Sequence, residues 1–363
     1  MPKTKLRVGI IGVGGIAEGK HMPSLAKVEA VEMVAFCDLV EDRAKKGAAA
    51  YGVHGATVYT DYQKMLSKEK LDVVHVLTPN SSHSELSCAA LEAGNHVMCE
   101  KPMAKTSSEA IKMVETAKKT GKKLTIGYQT RQDPQMQYLK KLIEAGELGD
   151  IYYAKALAIR RRAVPTWGVF LDEEKQGGGP LIDIGTHALD ITMWLMNNYE
   201  PVMAVGSTFH KLGSRKNSAN AWGPWDPKQF TVEDSAFGFI KFKNGATVTL
   251  EASWALNYVD AREAQCILCG TEAGADFQDG LRINGEKNSR LYINKPDFSS
   301  GGVAFFEGAG ADSPADTEAR QWIEAVLKDK NPTVLPEQAL KVTQILEAIY
   351  TSDKSGEPFY FKK

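Results

Sequence analysis

The chain has 363 residues, 43% of them hydrophobic and 25% charged, with 44 Lys and Arg against 45 Asp and Glu for a formal charge of -1. That length allows two domains with sizeable cores, and the even charge balance gives no global field to draw in nucleic acid or an anionic membrane. Small molecules are therefore the expected ligands.

The opening residues, "MPKTKLRVGIIG", lack the apolar stretch and cleavage site of a signal peptide, and no run reaches transmembrane length. Five cysteines, at 37, 88, 99, 266 and 269, follow no disulfide-framework or zinc spacing, so a cytoplasmic setting is expected. Cys266 and Cys269 fall in a strand-like stretch where residues three apart face opposite ways, which favours core packing over a shared metal.

Through the first third, "LRVGIIG", "VEMVAFCD", "LDVVHVLTP", "HVMCEKP" and "KLTIGYQ" alternate with helical patterns. Such alternation predicts βα units winding a parallel sheet, and the nearly continuous apolar strands fit a sheet covered on both faces. This α/β domain is expected over 1–125. Beyond it, longer strand-like stretches at 151–162, 202–211, 236–243, 246–255 and 262–269, with "KNGA" at 243–246 as a hairpin turn, predict an α+β domain with a mostly antiparallel sheet over 126–363. The polar, glycine-rich interval 212–231 is too long for a connector and is expected to fold over something or against a neighbour. Apolar residues at helical spacing from Ala319 to Leu327 and from Val342 to Tyr350 predict two packing helices.

After the first strand, Gly12, Gly14 and Ala17 form a GxGxxA pattern, with Gly15 and Ile16 between them. Glycines there permit a tight turn and close approach of a pyrophosphate to backbone N–H groups at a helix start. The second strand ends in Asp38, where an acid accepts the hydrogens of the adenosine ribose hydroxyls and repels the 2′-phosphate of NADP. Arg43 is not far off, but NAD is the expected cofactor. Thr78, Pro79, Asn80 and His83 follow the fourth strand, at the carboxyl edge where open α/β sheets bind ligands. His83 either contacts the cofactor or caps the next helix, whereas His75, inside the strand, reads as a core histidine.

Lys101 sits at the same edge, with Glu100 and Pro102 holding its turn. Its amine is suited to proton exchange if burial or nearby positive charge lowers its pKa, or to donation toward a substrate hydroxyl. In "GGGPLIDIGTHALD", Asp183 and His187 are four apart and share a helix face, with Asp190 one turn on. A carboxylate beside an imidazole suits proton removal from an alcohol. Metal ligation competes, but no third ligand at a telling spacing is visible, and no metal is expected. Tyr128, Gln129, Arg131, Arg161 and Trp167 are candidate substrate contacts, since aromatic faces and hydrogen-bonding groups suit a sugar ring; for the arginines a solvated strand edge is the equal alternative.

Together "GVGGIA", Asp38, "TPNSSH", "EKP" and "GGGPLIDIGTHALD" resemble the Gfo/Idh/MocA family, the glucose-fructose oxidoreductase and inositol dehydrogenase-like enzymes. The resemblance spans essentially the whole chain. It implies an N-terminal Rossmann domain, a C-terminal domain with a large open sheet, and an active site between them. It implies that Lys101 assists catalysis beside the nicotinamide, with Glu100 of the same motif at the cofactor, and that Asp183 and His187 complete the site. The function it implies is NAD-dependent oxidation of a secondary alcohol of a sugar, sugar derivative or cyclic polyol, in a homodimer or homotetramer. A glycoside-processing enzyme that oxidises transiently and then eliminates, and a dinucleotide-binding regulatory protein, stand as alternatives.

Overall fold

The computed structural model describes residues 5–298 and 312–362. The chain divides into two compact units, residues 1–129 with 312–340 and residues 130–311 with 341–363.

In the first unit, β1 (Leu6–Ile11), β2 (Val31–Cys37), β3 (Thr57–Tyr59), β4 (Val73–Val76), β5 (His96–Cys99) and β6 (Leu124–Ile126) form a parallel sheet in the order β3-β2-β1-β4-β5-β6. This is the doubly wound dinucleotide-binding order, in which the winding reverses beside β1 and the turns after β1 and β4 border the ligand crevice. Val73, Val74 and Val76 are all fully buried, and so is His75, as a strand covered on both faces requires. The helix Ser107–Thr120 starts with a capping box between Thr106 and Glu109 and stops at Gly121, whose φ of 66° is left-handed.

The unit's core joins Leu6, Val8, Ile10, Met22, Leu25 and Phe36 to Ala319, Trp322 and Ile323 of the helix Pro314–Leu327. The segment 312–340, read from sequence as part of the second domain, therefore packs with the first unit. Amphipathic spacing shows that a helix has a buried face. It does not say which core receives that face.

In the second unit, β7 (Tyr153–Ile159), β8 (Pro201–Phe209), β9 (Ser235–Phe242), β10 (Thr247–Ser253), β11 (Gln265–Cys269), β12 (Ala273–Asp276), β13 (Arg282–Lys287), β14 (Arg290–Asn294) and β15 (Phe359–Tyr360) form one sheet in the order β14-β13-β12-β11-β7-β10-β9-β8-β15. Only β7 and β10 pair in parallel; the other pairs are antiparallel. Gly245, at φ 90°, turns the hairpin between β9 and β10 as "KNGA" predicted. Cys266 is buried and Cys269 half-buried, and all five cysteines are free thiols. Strands β12 to β15 go beyond the sequence reading. β14 is exposed along its length and β13 over half of it, so neither carries a clean apolar alternation.

A π-helical turn, Leu181–Gly185, leads into the helix Thr186–Met196, which packs on β7 and β11. Gly185 lets the turn approach β10, since an added Cβ would lie 3.1 Å from the Cβ of Ala252. The interval 212–231 folds against its own unit: Leu212 and Gly213 donate their N–H groups to Asp234 Oδ2, and the buried Trp225 donates its indole N–H to the Gly213 carbonyl.

Candidate active site

The turn after β1 needs glycine at two kinds of position. Gly12 adopts φ 90°, and an added Cβ would meet the Leu77 carbonyl oxygen at 2.7 Å. Around Gly14 and Gly15 an added Cβ would meet nothing within 4 Å, so an open cradle lies over their backbone. Ile16 is exposed at the rim. Asp38 ends beside this turn, its Oδ2 accepting the Val13 N–H and its Oδ1 the Val40 N–H, both at 2.8 Å. The open glycine cradle, the strand order and the fixed carboxylate fit a dinucleotide whose pyrophosphate crosses the turn and whose ribose meets Asp38.

Of the turn after β4, Thr78 is half-buried and receives the Ser82 hydroxyl at 2.7 Å, Pro79 is exposed, and Asn80 is buried. His83 is buried, its Nδ1 2.7 Å from the Pro102 carbonyl oxygen and its Nε2 2.8 Å from that of Thr78, so its ring N–H can donate to either. It fastens the turn of β4 to the turn of β5.

Glu100 is also engaged within its own unit, its buried carboxylate facing inward. Oε1 takes Lys20 Nζ at 2.8 Å and His21 Nε2 at 2.7 Å, while Oε2 accepts the backbone N–H of Lys101 at 3.0 Å. Lys20 also pairs with Glu318 at 2.9 Å. Burial pushes the Glu100 carboxyl up, but the Lys20 charge and the His21 bond outweigh it and hold it well below the usual range. For Lys20, burial favours the neutral amine, yet Glu100 and Glu318 prevail and raise its pKa. Behind them His75 Nδ1 lies 3.3 Å from His21 Nδ1, and burial, then the nearby His21 and Lys20, depress the His75 pKa strongly. This ionic cluster anchors the backbone from which the half-buried Lys101 projects. Nothing in a sequence pattern pairs Lys20, His21 and Glu318 with Glu100.

In the second unit, Asp183 is buried and its Oδ2 accepts the indole N–H of Trp254 at 3.1 Å. His187 follows one helical turn later, half-buried. The glycines before them have a specific partner. Glu233, buried, accepts the N–H groups of Gly179 at 2.7 Å and Leu181 at 3.0 Å and the Tyr350 hydroxyl at 2.9 Å. A Cβ on Gly178 would strike the Tyr350 hydroxyl, and one on Gly179 the Glu233 carbonyl. Burial raises the Glu233 carboxyl pKa against the pull of these donors. Trp254, Glu233 and Tyr350 are supports that sequence reasoning missed, since a tryptophan in a strand reads as core and a lone glutamate as surface.

Asp190 does not join Asp183 and His187. It is buried against Arg131, which grips it with Nε at 2.9 Å and a terminal nitrogen at 2.6 Å. Arg131 has no exposed surface, and its guanidinium is engaged in this buried ion pair. Tyr128 is likewise only 1% exposed, whereas Gln129 is half-buried, Arg161 exposed and Trp167 51% exposed. Among the described residues no group of three or more His, Cys, Asp or Glu is placed to hold a metal ion.

A doubly wound sheet with an open glycine cradle and a ribose-position aspartate, carried with a second domain bearing an aspartate–histidine pair, defines a dinucleotide-dependent oxidoreductase. Residues 6–128 match the Gfo/Idh/MocA family described as "Oxidoreductase family, NAD-binding Rossmann fold", and residues 140–361 match its C-terminal alpha/beta domain. The chain belongs to this family and is an NAD-binding oxidoreductase.

It is 44% identical over 276 residues to D-glucoside 3-dehydrogenase of Escherichia coli K12, covering 76% of this chain and 78% of that one. It is 31% identical over 332 residues to an inositol 2-dehydrogenase/D-chiro-inositol 3-dehydrogenase of Lactiplantibacillus plantarum, covering 90% and 84%. Among solved structures, levoglucosan dehydrogenase in complex with NADH superposes with a TM-score of 0.82 at 21% identity, covering 99% of this chain and all of that one, a likeness of fold.

Proposed function

We propose that the protein is an NAD-dependent dehydrogenase that oxidises a secondary alcohol of a sugar, sugar derivative or cyclic polyol, with a D-glucoside oxidised at its 3-hydroxyl as the first substrate to test. The observation that carries this reading is the Asp183–His187 pair, its carboxylate held by Trp254 on a turn that Glu233 fixes. The relative named D-glucoside 3-dehydrogenase supports the glucoside.

NAD, held by Gly12, Gly14, Gly15, Ile16 and Asp38 with Thr78, Pro79 and Asn80 at the sheet edge, supplies a two-electron acceptor. His187 takes the hydroxyl proton as the carbonyl forms, or Lys101 does, an imidazole needing the smaller adjustment to act near neutral pH. Asp183 orients the hydroxyl or the imidazole. Lys101, anchored through its backbone to Glu100, donates to the substrate oxygen. Gln129, Arg161 and Trp167 remain proposed substrate contacts.

A panel of glucosides, monosaccharides and inositols with free NAD, read by NADH absorbance, tests the proposal. Formation of NADH with a keto-sugar supports it. Loss of the glycoside without accumulation of NADH points instead to transient oxidation and elimination, and no turnover of any member removes the reading.

We also propose a homodimer or homotetramer in the cytoplasm. Leu291 and Ile293 on edge strand β14, with Phe239 on β9, leave apolar surface for a second copy to cover. No described helix is long and apolar enough to cross a membrane.

A further inference from the structure

The aromatic side chains around Asp183 do not end with Trp254. Phe170 stands edge-on to Trp254 with ring centroids 6.4 Å apart, Trp167 lies 5.9 Å beyond Phe170, and Trp222 lies 4.9 Å from Trp167. Trp254 is completely buried and Phe170 half-buried. The last two emerge: Trp167 is 51% exposed and Trp222 44%. Their planes meet at 82°, so the pair forms a corner with ring faces nearly at right angles.

This corner is built rather than left over. Trp222 belongs to the long 212–231 interval, and that interval is fastened at this point. Asn220 Oδ1 accepts the Val164 N–H at 2.8 Å, and its Nδ2 donates to the carbonyls of Val164 at 2.9 Å and Gly223 at 2.8 Å. Ala221 N–H donates to the Arg162 carbonyl, and the Thr166 hydroxyl to the Trp222 carbonyl at 2.9 Å. The Arg160 guanidinium, held by Glu263, lies 5.3 Å from the Trp222 ring centre. Two large aromatics kept partly in water by this many fixed contacts are pre-organised for a ligand with an apolar face.

We infer that Trp167 and Trp222 form a subsite for the group joined to the oxidised sugar ring, a second pyranose or an aryl aglycone, so that the preferred substrates are glycosides larger than a monosaccharide. The inference rests on the dehydrogenase reading above and narrows its substrate class. Two ring-to-ring steps, of 6.4 and 5.9 Å, separate Trp167 from the indole that bonds Asp183. A sugar reacting at Asp183 would therefore place its neighbour, and not itself, on the tryptophan corner. Pyranose C–H faces and aryl rings both match the electron-rich face of an indole.

The test compares kcat/KM for an aryl β-glucoside and a glucosyl disaccharide with that for methyl β-glucoside, in the wild type and in Trp167→Ala, Trp222→Ala and Trp222→Phe. The expected result is that the preference for the larger glycosides drops roughly tenfold or more in either alanine variant, the loss of one good aromatic contact, and largely returns in Trp222→Phe. An unchanged preference overturns the inference. So does an unchanged preference accompanied by a smaller assembly in light scattering, which makes the corner a surface between copies. If the wild type oxidises none of these sugars, the dehydrogenase reading fails separately. Calorimetric binding of the aryl glucoside then decides the subsite alone: binding lost in Trp222→Ala upholds it, and no binding by the wild type removes it.

Discussion

The indole N–H of Trp254 donates to Oδ2 of Asp183 across 3.1 Å, both side chains being buried. The bond fixes the carboxylate one helical turn ahead of His187. Replacing Trp254 by Phe keeps an aromatic ring and deletes the donor, leaving a buried carboxylate short of a partner at a cost of about 1–3 kcal/mol. We expect Trp254→Phe to unfold at lower denaturant and to lose kcat on the substrate found by the panel. Wild-type kcat in a destabilised Trp254→Phe would show that this bond serves folding alone.

In the proposed mechanism Lys101 and His187 serve chemistry more than folding. Neither is part of the buried cores, and general acid–base groups are typically worth about 100-fold to 10,000-fold. Lys101→Met and His187→Ala should each lower kcat by that order while NAD affinity, measured by calorimetry, stays near the wild-type value. If both variants turn over normally, the assignment of the proton-transfer groups is wrong even though the fold stands.

Asp38 is held by the N–H groups of Val13 and Val40 at the end of β2. Its negative charge opposes a 2′-phosphate, so the wild type should favour NAD over NADP in kcat/KM. In Asp38→Ala that preference should shrink at least roughly tenfold, the effect of one lost charge-assisted interaction. Equal use of both cofactors by the wild type sinks the argument.

Burial, with Lys122 and Lys123 nearby, depresses the His96 pKa to about 4 in the folded chain, and its Nδ1 accepts the Lys123 N–H at 3.0 Å. In the unfolded chain an imidazole binds its proton near pH ~6.5. A lowered folded pKa means that the unfolded state takes up the proton first, so this contribution is complete above about 6.5 and is lost as pH falls toward 4. Urea unfolding of His96→Asn, whose amide oxygen can replace the acceptor, should show a shallower loss of stability between pH 6.5 and 5 than the wild type. Parallel curves would exclude His96 as the source.

Arg131 should matter to stability and little to turnover. Removing one member of a buried ion pair leaves the other uncompensated, at about 3–5 kcal/mol. Arg131→Met should therefore lower the midpoint of unfolding sharply, and the fraction that folds should retain its KM. A raised KM with unchanged stability would return Arg131 to the substrate site.

Features that depend on neighbours along the chain could be read from the order of residues alone. Apolar runs alternating with helical patterns specified a parallel sheet, because each βα unit must bury both strand faces. Gly12, Gly14 and Asp38 were legible because a turn, its glycines and the acid ending the next strand keep fixed offsets. Asp183 and His187 stood out as candidates by their four-residue spacing, and the structure winds Asp183 into a π turn just ahead of the α-helix that carries His187.

Which candidate polar groups face inward depends on partners that folding brings together. Arg131 and Gln129 sit two residues apart, yet Arg131 is consumed by Asp190, 59 positions away, while Gln129 stays half-buried. Glu100 and His83 stand beside Lys101 or its neighbouring turn, yet buried partners claim both side chains. Trp222 stands beside Trp167 because Asn220 ties a polar interval to Val164, in the irregular segment that follows β7. Local spacing sets backbone conformation; a buried charge or a rigid exposed ring depends on partners brought in from far along the chain, and no local pattern encodes them.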